Sequence, residues 1–300
     1  MSSQASTPSL QVNTSSKQIL AISLPIALAI LVPQINFVIN NVFLGALSKQ
    51  ALAIGGITGV YYLIFGVMGQ GLNNGLQALI SRRAGENRID EIGILFSQGV
   101  IISIFLSAIG IGFTYFIAPG IFHTLLHDND RANTVIDFLK IRIWGIPFLF
   151  IYQMRNALLV GTNQSKFLII GTATEAVVNI FFDYSLIFGH FGFVAMGLNG
   201  AAYASIIAEI MGLLIIYLVI HYQKIGARFE LFKAFKFRIE YIKLILTQSS
   251  PLMMQYMISI ISWEFFYILI EHRGEQSLAV SNAMRNIFGF FRSFTWAFAA

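Results

Sequence analysis

Glu175, Asn179 and Asp183 recur at intervals of four in "EAVVNIFFDYSLIFG" (175–189), a stretch otherwise dominated by apolar residues. On a helix each step of four turns the side chain by about 40°, so the three share a stripe about 80° wide. An ionisable group at mid-membrane costs about 3 kcal/mol or considerably more, so such groups usually face a cavity and act there. Two chemistries suit the stripe. A desolvated Asp183 can take up and release a proton. With a neighbouring amide and hydroxyl it can instead hold Na⁺ through oxygen ligands. The structural alternatives place Asp183 near the outer end of its helix or beside a buried Arg, and Glu175 in solvent near the cytoplasmic end.

Other polar side chains are embedded in similar surroundings. "QINFVINN" (34–41) supplies Gln34, Asn36 and Asn40, the two asparagines four apart on one face. Pro25 and Pro33 precede Asn36 in the same run and permit a kink that frees backbone carbonyls. Gln70, Asn73, Asn74 and Gln77 follow the spacing i, i+3, i+4, i+7 among Gly66, Gly69, Gly71 and Gly75. Small residues let helices approach and amides bond across them, so this stripe reads first as packing and second as cavity lining. "MGLNGAAYAS" (196–205) brings the Ser205 hydroxyl, with Glu209 one turn further on. "SWEFFYILIEHRG" (262–274) holds Glu264, and Arg285 and Arg292 lie seven apart on one face of the following run. Glu264 and Arg285 read equally as a structural ion pair or as transport residues.

The elements that must position these groups follow from composition. Hydrophobic residues make up 56% of the chain, charged residues 11%, and the mean hydropathy is +0.73. Soluble domains carry about 25% charge. Eight apolar segments, at roughly 18–43, 51–79, 93–118, 136–160, 167–189, 200–222, 243–270 and 277–300, each have the length of a membrane-spanning helix. The absence of cysteine excludes disulfides and thiolate metal sites. Five scattered histidines without H-E-x-x-H spacing, and no G-x-S-x-G, argue against a metal enzyme or a serine hydrolase. No cofactor is expected.

The net charge of +5 reads as topology rather than as nucleic-acid binding. Eleven Lys and Arg fall in the N-terminal region and the even-numbered loops, against five (Lys49, Arg131, Lys140, Arg142, Arg273) in or beside the odd-numbered ones. The N-terminus and the even loops are therefore expected in the cytoplasm. Residues 1–16 form a polar, Ser- and Thr-rich tail without the basic region of a signal peptide. A basic, partly amphipathic stretch around 223–242 is expected along the cytoplasmic interface as a linker. It divides a six-helix lobe (17–222) from the start of a second lobe (243–300).

That division rests on an internal repeat. Pro25, Gln50, Leu52 and Ala53 recur as Pro251, Gln276, Leu278 and Ala279, each pair 226 residues apart. Parallel halves of six helices follow, and two such halves would reach about 450 residues. The chain stops at Ala300 inside an apolar run, and is expected to be a fragment truncated after its eighth helix.

"NIFFDYSLIFGHFGFVAMGLNGAAYAS" (179–205) resembles the multidrug and toxic compound extrusion (MATE) family, whose fifth helix reads N-x-x-x-D before an I-F-G turn. The family's next helix opens on M-G-x-x-G-A-A-x-A-[ST]. "LPIALAILVPQINFVINNVFLGALSKQALA" (24–53) is similar to its first helix and loop, and "GLNNGLQALISRRAGE" (71–86) to the end of its second. The resemblance implies an all-α polytopic membrane protein. Twelve helices in two lobes would flank a central cavity that opens alternately to either side. It also implies export of organic cations or amphipathic compounds in exchange for H⁺ or Na⁺. Carried over, the family's cation site comprises Asn179, Asp183 and Ser205. The first-helix Asp of the family is replaced by Asn40, so the site would hold one carboxylate rather than two unless Glu175 substitutes. One carboxylate in place of two should weaken Na⁺ binding, so H⁺ is the expected coupling ion. The Glu that one branch of the family carries on its seventh helix is also missing, its place being held by Ser259.

The expected protein is thus a multi-pass antiporter of the bacterial cytoplasmic membrane, monomeric when complete. Asp183, Asn179, Ser205, Asn40 and Glu175 would couple the cation. Gln34, Asn36, Asn73, Gln77, Glu209, Glu264 and Arg285 would line the cavity. A lipid-linked oligosaccharide flippase is the rival transporter. It would meet a pyrophosphate with arginines, whereas the embedded charges of the fifth and sixth segments are acidic. A non-transporting remnant is the remaining alternative.

Overall fold

The computed structural model describes residues 16–126, 128–231 and 236–271, together with positions 281, 284, 288, 291 and 295. Ten α-helices follow in order: α1 (Ser16–Leu47), α2 (Lys49–Gly85), α3 (Ile89–Phe116), α4 (Ala118–Leu125), α5 (Asn129–Arg142), α6 (Ile146–Gly161), α7 (Leu168–Phe188), α8 (Leu198–Tyr222), α9 (Ile225–Arg228) and α10 (Ile239–Glu271). No strand occurs among the described residues. Large apolar side chains such as Phe105, Phe116 and Val177 stand exposed on the outside, the surface that faces hydrocarbon in a membrane bundle.

Local chemistry sets the helix ends. Ser48 separates α1 from α2 and caps the latter, accepting the Ala51 N–H at 2.9 Å. Asp128 accepts the Asp130 and Arg131 N–H groups at the start of α5. Gly189 closes α7 in the left-handed region at φ +78°, where a Cβ is disfavoured. Pro25 and Pro33 both lie inside α1, which continues through them, and Pro251 lies likewise inside α10.

Among the described residues, six helices (α1, α2, α3, α7, α8 and α10) are long and apolar enough to cross a membrane. The crossing expected at 136–160 is divided instead. A 3₁₀ turn at Ile143–Gly145 joins α5 to α6, with Pro147 in the first turn of α6. Proline lacks the N–H that a continuous helix needs there. The eighth crossing (277–300), the repeat partners Gln276, Leu278 and Ala279, and the 1–15 tail lie outside the described residues.

The 223–242 linker is more firmly seated than an interfacial helix. Ile225–Arg228 form a short helix, α10 begins at Ile239, and Ile225, Phe229 and Leu231 are buried in the same apolar cluster as Ile92 and Leu95 of α3. Gly93 lets the linker cross α3, since a Cβ there would stand 2.2 Å from the Phe229 carbonyl oxygen. Gln98 of α3 holds the far side, its Nε2 donating to Lys236 O at 2.9 Å and its Oε1 accepting Arg238 N–H at 3.0 Å. Near the same end, Arg83 reaches both Glu86 and Glu91 at 2.6 Å, and Arg88 also pairs with Glu91. Hydrogen bonds from Arg82 and Arg83 hold the exposed Glu86 carboxyl below its usual range.

α10, which carries Pro251 of the sequence repeat, packs tightly against one half of α2. A Cβ on Gly71 would lie 2.6 Å from Met253 backbone atoms, and one on Gly75 would lie 2.1 Å from Ser249 Oγ. Asn74 Nδ2 donates to Tyr256 OH at 2.7 Å in the same seam. Toward the α1–α2 turn the two helices part: Gly56, Gly59 and Gly66 face open space, and Ile258, Ile261 and Phe265 of α10 are exposed. Gly71→Val is expected to force the seam apart at a cost of about 1–3 kcal/mol. The measurement is the thermal midpoint of the purified protein in detergent, and an unchanged midpoint would refute the close approach.

Candidate cation-coupling site

Two hydrogen bonds fix how α1 lies on α7. Ser165 Oγ, just before α7, donates to Ile22 O at 3.2 Å, and Asn36 Nδ2 donates to Asn179 Oδ1 at 2.8 Å. Both pairs are 143 residues apart, so the helices run parallel in constant register. One turn beyond Asn36 and Asn179 the same offset sets Asn40 opposite Asp183. Phe43 against Tyr184 and Phe188 closes the interface at its far end.

Asp183 is wholly enclosed, at 0% exposure, and both of its carboxylate oxygens lack a hydrogen-bond partner among the described residues. Asn36 Oδ1, Asn40 Oδ1 and Asn179 Nδ2 are buried and unpartnered as well. Four acceptor oxygens and one amide donor thus lie along the α1–α7 interface. A buried acceptor left unsatisfied costs about 1–3 kcal/mol, so the arrangement favours a carboxyl proton that can donate or a cation that oxygen atoms can ligate.

Other expected members lie apart. Glu175 sits eight residues from Asp183, about 12 Å along the helix, too far to replace a second carboxylate beside it. Ser205 is half-buried on α8 and makes no hydrogen bond to Asp183. It lies near the level of Asp183, because Gly200 packs on Leu186 and Gly212 on Glu175. Asn73 is enclosed within α2, where both its Nδ2 and Gln70 Nε2 donate to Asn74 Oδ1. The amide stripe therefore serves the α2–α10 seam rather than an open cavity. Gln77 is half-buried and Gln34 exposed. Glu264 belongs to α10, but its side chain and the whole of Arg285 lie outside the described residues.

Glu209 requires the largest correction. It does not stand free in a cavity: Arg142 grips it with both terminal nitrogens, NH1 to Oε2 at 3.0 Å and NH2 to Oε1 at 2.6 Å. Tyr62 OH donates to the same Oε1 at 2.9 Å, and the Arg142 guanidinium lies 3.6 Å from the Tyr62 ring centroid. Gly145 makes room for the pair, since a Cβ there would stand 2.0 Å from Glu209 Oε2. Arg142 therefore lies among the helices and drops out of the loop-charge count. Neither Arg142 nor Tyr62 was expected at a site. The available signal was Arg142 beside "WGIP", a charge next to a Gly-x-Pro sequence.

With the geometry established, comparison with known proteins places the chain. A family model described as MatE matches residues 25–185, more than half of the sequence. The chain belongs to the MatE family. A probable multidrug resistance protein NorM of Synechocystis sp. is 28% identical to this MatE chain over 211 residues, 68% of this chain and 45% of that protein. The multidrug resistance protein MdtK of Cronobacter sakazakii is 29% identical over 192 residues, covering 63% and 41% respectively. Among solved structures, a MOP superfamily transporter from Pyrococcus furiosus superposes with a TM-score of 0.86 at 18% identity, over 98% of this chain and 65% of that one. An outward-facing MATE transporter gives 0.84 at 19%, with the same two coverages. The fold is that of a polytopic helical membrane protein. The chain spans less than half of those two relatives and about two thirds of these structures.

Proposed function

We propose that this MatE chain supplies one six-helix lobe (17–222), a cytoplasmic linker (223–242) and the start of a second lobe (243–300) of a proton-coupled efflux antiporter. Its substrates are organic cations or amphipathic drugs, its location the bacterial cytoplasmic membrane, and its N-terminus cytoplasmic. The complete protein works as a monomer. The names of its multidrug resistance relatives support the transport class.

The observation that carries the coupling is Asp183, enclosed and unpaired, opposite a neutral Asn40. Binding of a proton neutralises the only carboxylate at this contact. Na⁺ would have to shed its hydration for a single formal charge and amide oxygens, a weak exchange. Protonation drives transport only if the two access states bind the proton with different affinity. The parallel α1–α7 contact is where such a difference can arise, because any shift of α1 changes the surroundings of Asp183.

The flippase is the less favoured reading. Arg142 is committed to Glu209, and Arg155 donates to the Leu213 carbonyl and lies over the Tyr217 ring. A pyrophosphate would have to displace those partners.

The test uses the whole polypeptide made from the native gene, reconstituted in liposomes with ethidium as probe. An inward-directed proton gradient is expected to drive ethidium export, faster as the outer pH falls, and a Na⁺ gradient at equal pH is not. The reverse result would overturn proton coupling.

A further inference from the structure

Away from Asp183, a second group of charges lies within the bundle, where α2, α5, α7 and α8 meet. It contains two carboxylates and one guanidinium. Arg142 spends both terminal nitrogens on Glu209, and Tyr62 adds a third hydrogen bond to that carboxylate. Glu175 of α7 faces the same group. It packs on Gly212 of α8, whose added Cβ would meet Glu175 Cβ at 3.2 Å and Oε2 at 3.6 Å. Glu209 and Arg142 are its electrostatic neighbours. From α6 the Tyr152 hydroxyl, buried and unpartnered, interacts electrostatically with Glu175, whereas Arg155 turns to Leu213 and Tyr217. α1 presents Asn36 and Asn40 to α7, and neither titrates. Asp183 is the other acid of α7, two turns along. No hydrogen bond or ion pair reaches Glu175 among the described residues.

We infer that Glu175 is a second proton-carrying carboxylate of this lobe, left without a counter-charge because Glu209 holds Arg142. The inference deepens the proton-coupled reading and rests on it for its role in transport. If both acids ionised, three interior carboxylates would share one guanidinium. Glu175 is half-buried among the helices, and a charge set in the bundle interior without its own partner is disfavoured. Glu175 therefore takes a proton in the state described here and gives it up when a rearrangement brings Arg142 or water to it. The lobe then carries two protons per cycle, one at Asp183 and one at Glu175. At about 12 Å apart along α7, the two acids titrate as separate sites.

Infrared difference spectra of the full-length protein in detergent, taken across a pH titration, read buried protonated carboxyls through their C=O stretch and need no substrate. The wild type is expected to show two such bands. Glu175→Gln should leave one and Asp183→Asn should leave the other, each with an unchanged size-exclusion profile. Glu175→Asp should restore the second band at a shifted position, which guards against a folding effect. Glu209→Gln releases Arg142 to pair with Glu175, so the Glu175 band should vanish although Glu175 is intact. Two bands persisting in Glu175→Gln, or the Glu175 band persisting in Glu209→Gln, would overturn the inference. A spectrum unchanged by Asp183→Asn would instead refute Asp183 as the coupling acid, a result read on a different band.

Discussion

Asp183→Asn is expected to reduce proton-driven ethidium export to the level of protein-free liposomes while leaving the protein folded. The substitution preserves size and shape at a position with no exposure. It also supplies a donor. The wild-type carboxylate faces the buried, unpartnered Asn40 oxygen across the α1–α7 interface, and an Asn amide could donate to it. Stability should therefore hold or rise slightly, by about 1 kcal/mol if that bond forms. The two effects diverge, which makes the variant informative. A structural role for Asp183 predicts lower yield and a lower melting temperature with transport reduced in proportion. A coupling role predicts intact protein that no longer responds to the gradient. Substrate binding should survive and lose its pH dependence at this site. Gradient-driven export comparable to wild type would sink the mechanism.

The sequence disclosed this site because its signal is local. Four-residue spacing in a helix puts Asn36 with Asn40 and Asn179 with Asp183 on single faces, whatever the neighbouring helices are. That the two faces meet, in a register that sets Asn40 against Asp183, depends on the constant offset between α1 and α7, which no local pattern contains. Glu209 shows the complementary failure. Its partner Arg142 lies 67 residues away on a different helix, and an isolated acid in an apolar run reads as a cavity residue until that partner is known. The glycines and amides of α2 were ambiguous between packing and lining for the same reason. The position of α10 decided it, because Gly71 and Gly75 are occupied by Met253 and Ser249 while Gly56 and Gly59 are not. The break within 136–160 was missed, because mean hydropathy registers a continuous segment and only the Gly-x-Pro sequence marks the interruption.

Arg142→Met should be the most destabilising single change in the lobe. The side chains of Arg142 and Glu209 are 13% and 5% exposed, so the pair does not behave as a surface salt bridge. Removing one member of a buried pair leaves an uncompensated charge and costs about 3–5 kcal/mol. Loss of the guanidinium stacked on Tyr62 adds to this, by about 2 kcal/mol at a desolvated position. The double variant Arg142→Met/Glu209→Met removes both charges at similar volume and should recover most of that loss, since buried ion pairs often replace at little net cost. Thermal unfolding in detergent, with the two single variants and the double, gives the coupling between the residues directly. A single variant within about 1 kcal/mol of wild type would mean that water or another group already screens the pair. Recovery in the double variant has a second consequence. With no guanidinium left in the cluster, Glu175 should keep its proton, so a stable Met/Met protein that still shows the Glu175 carboxyl band would separate the packing role of the pair from its electrostatic one.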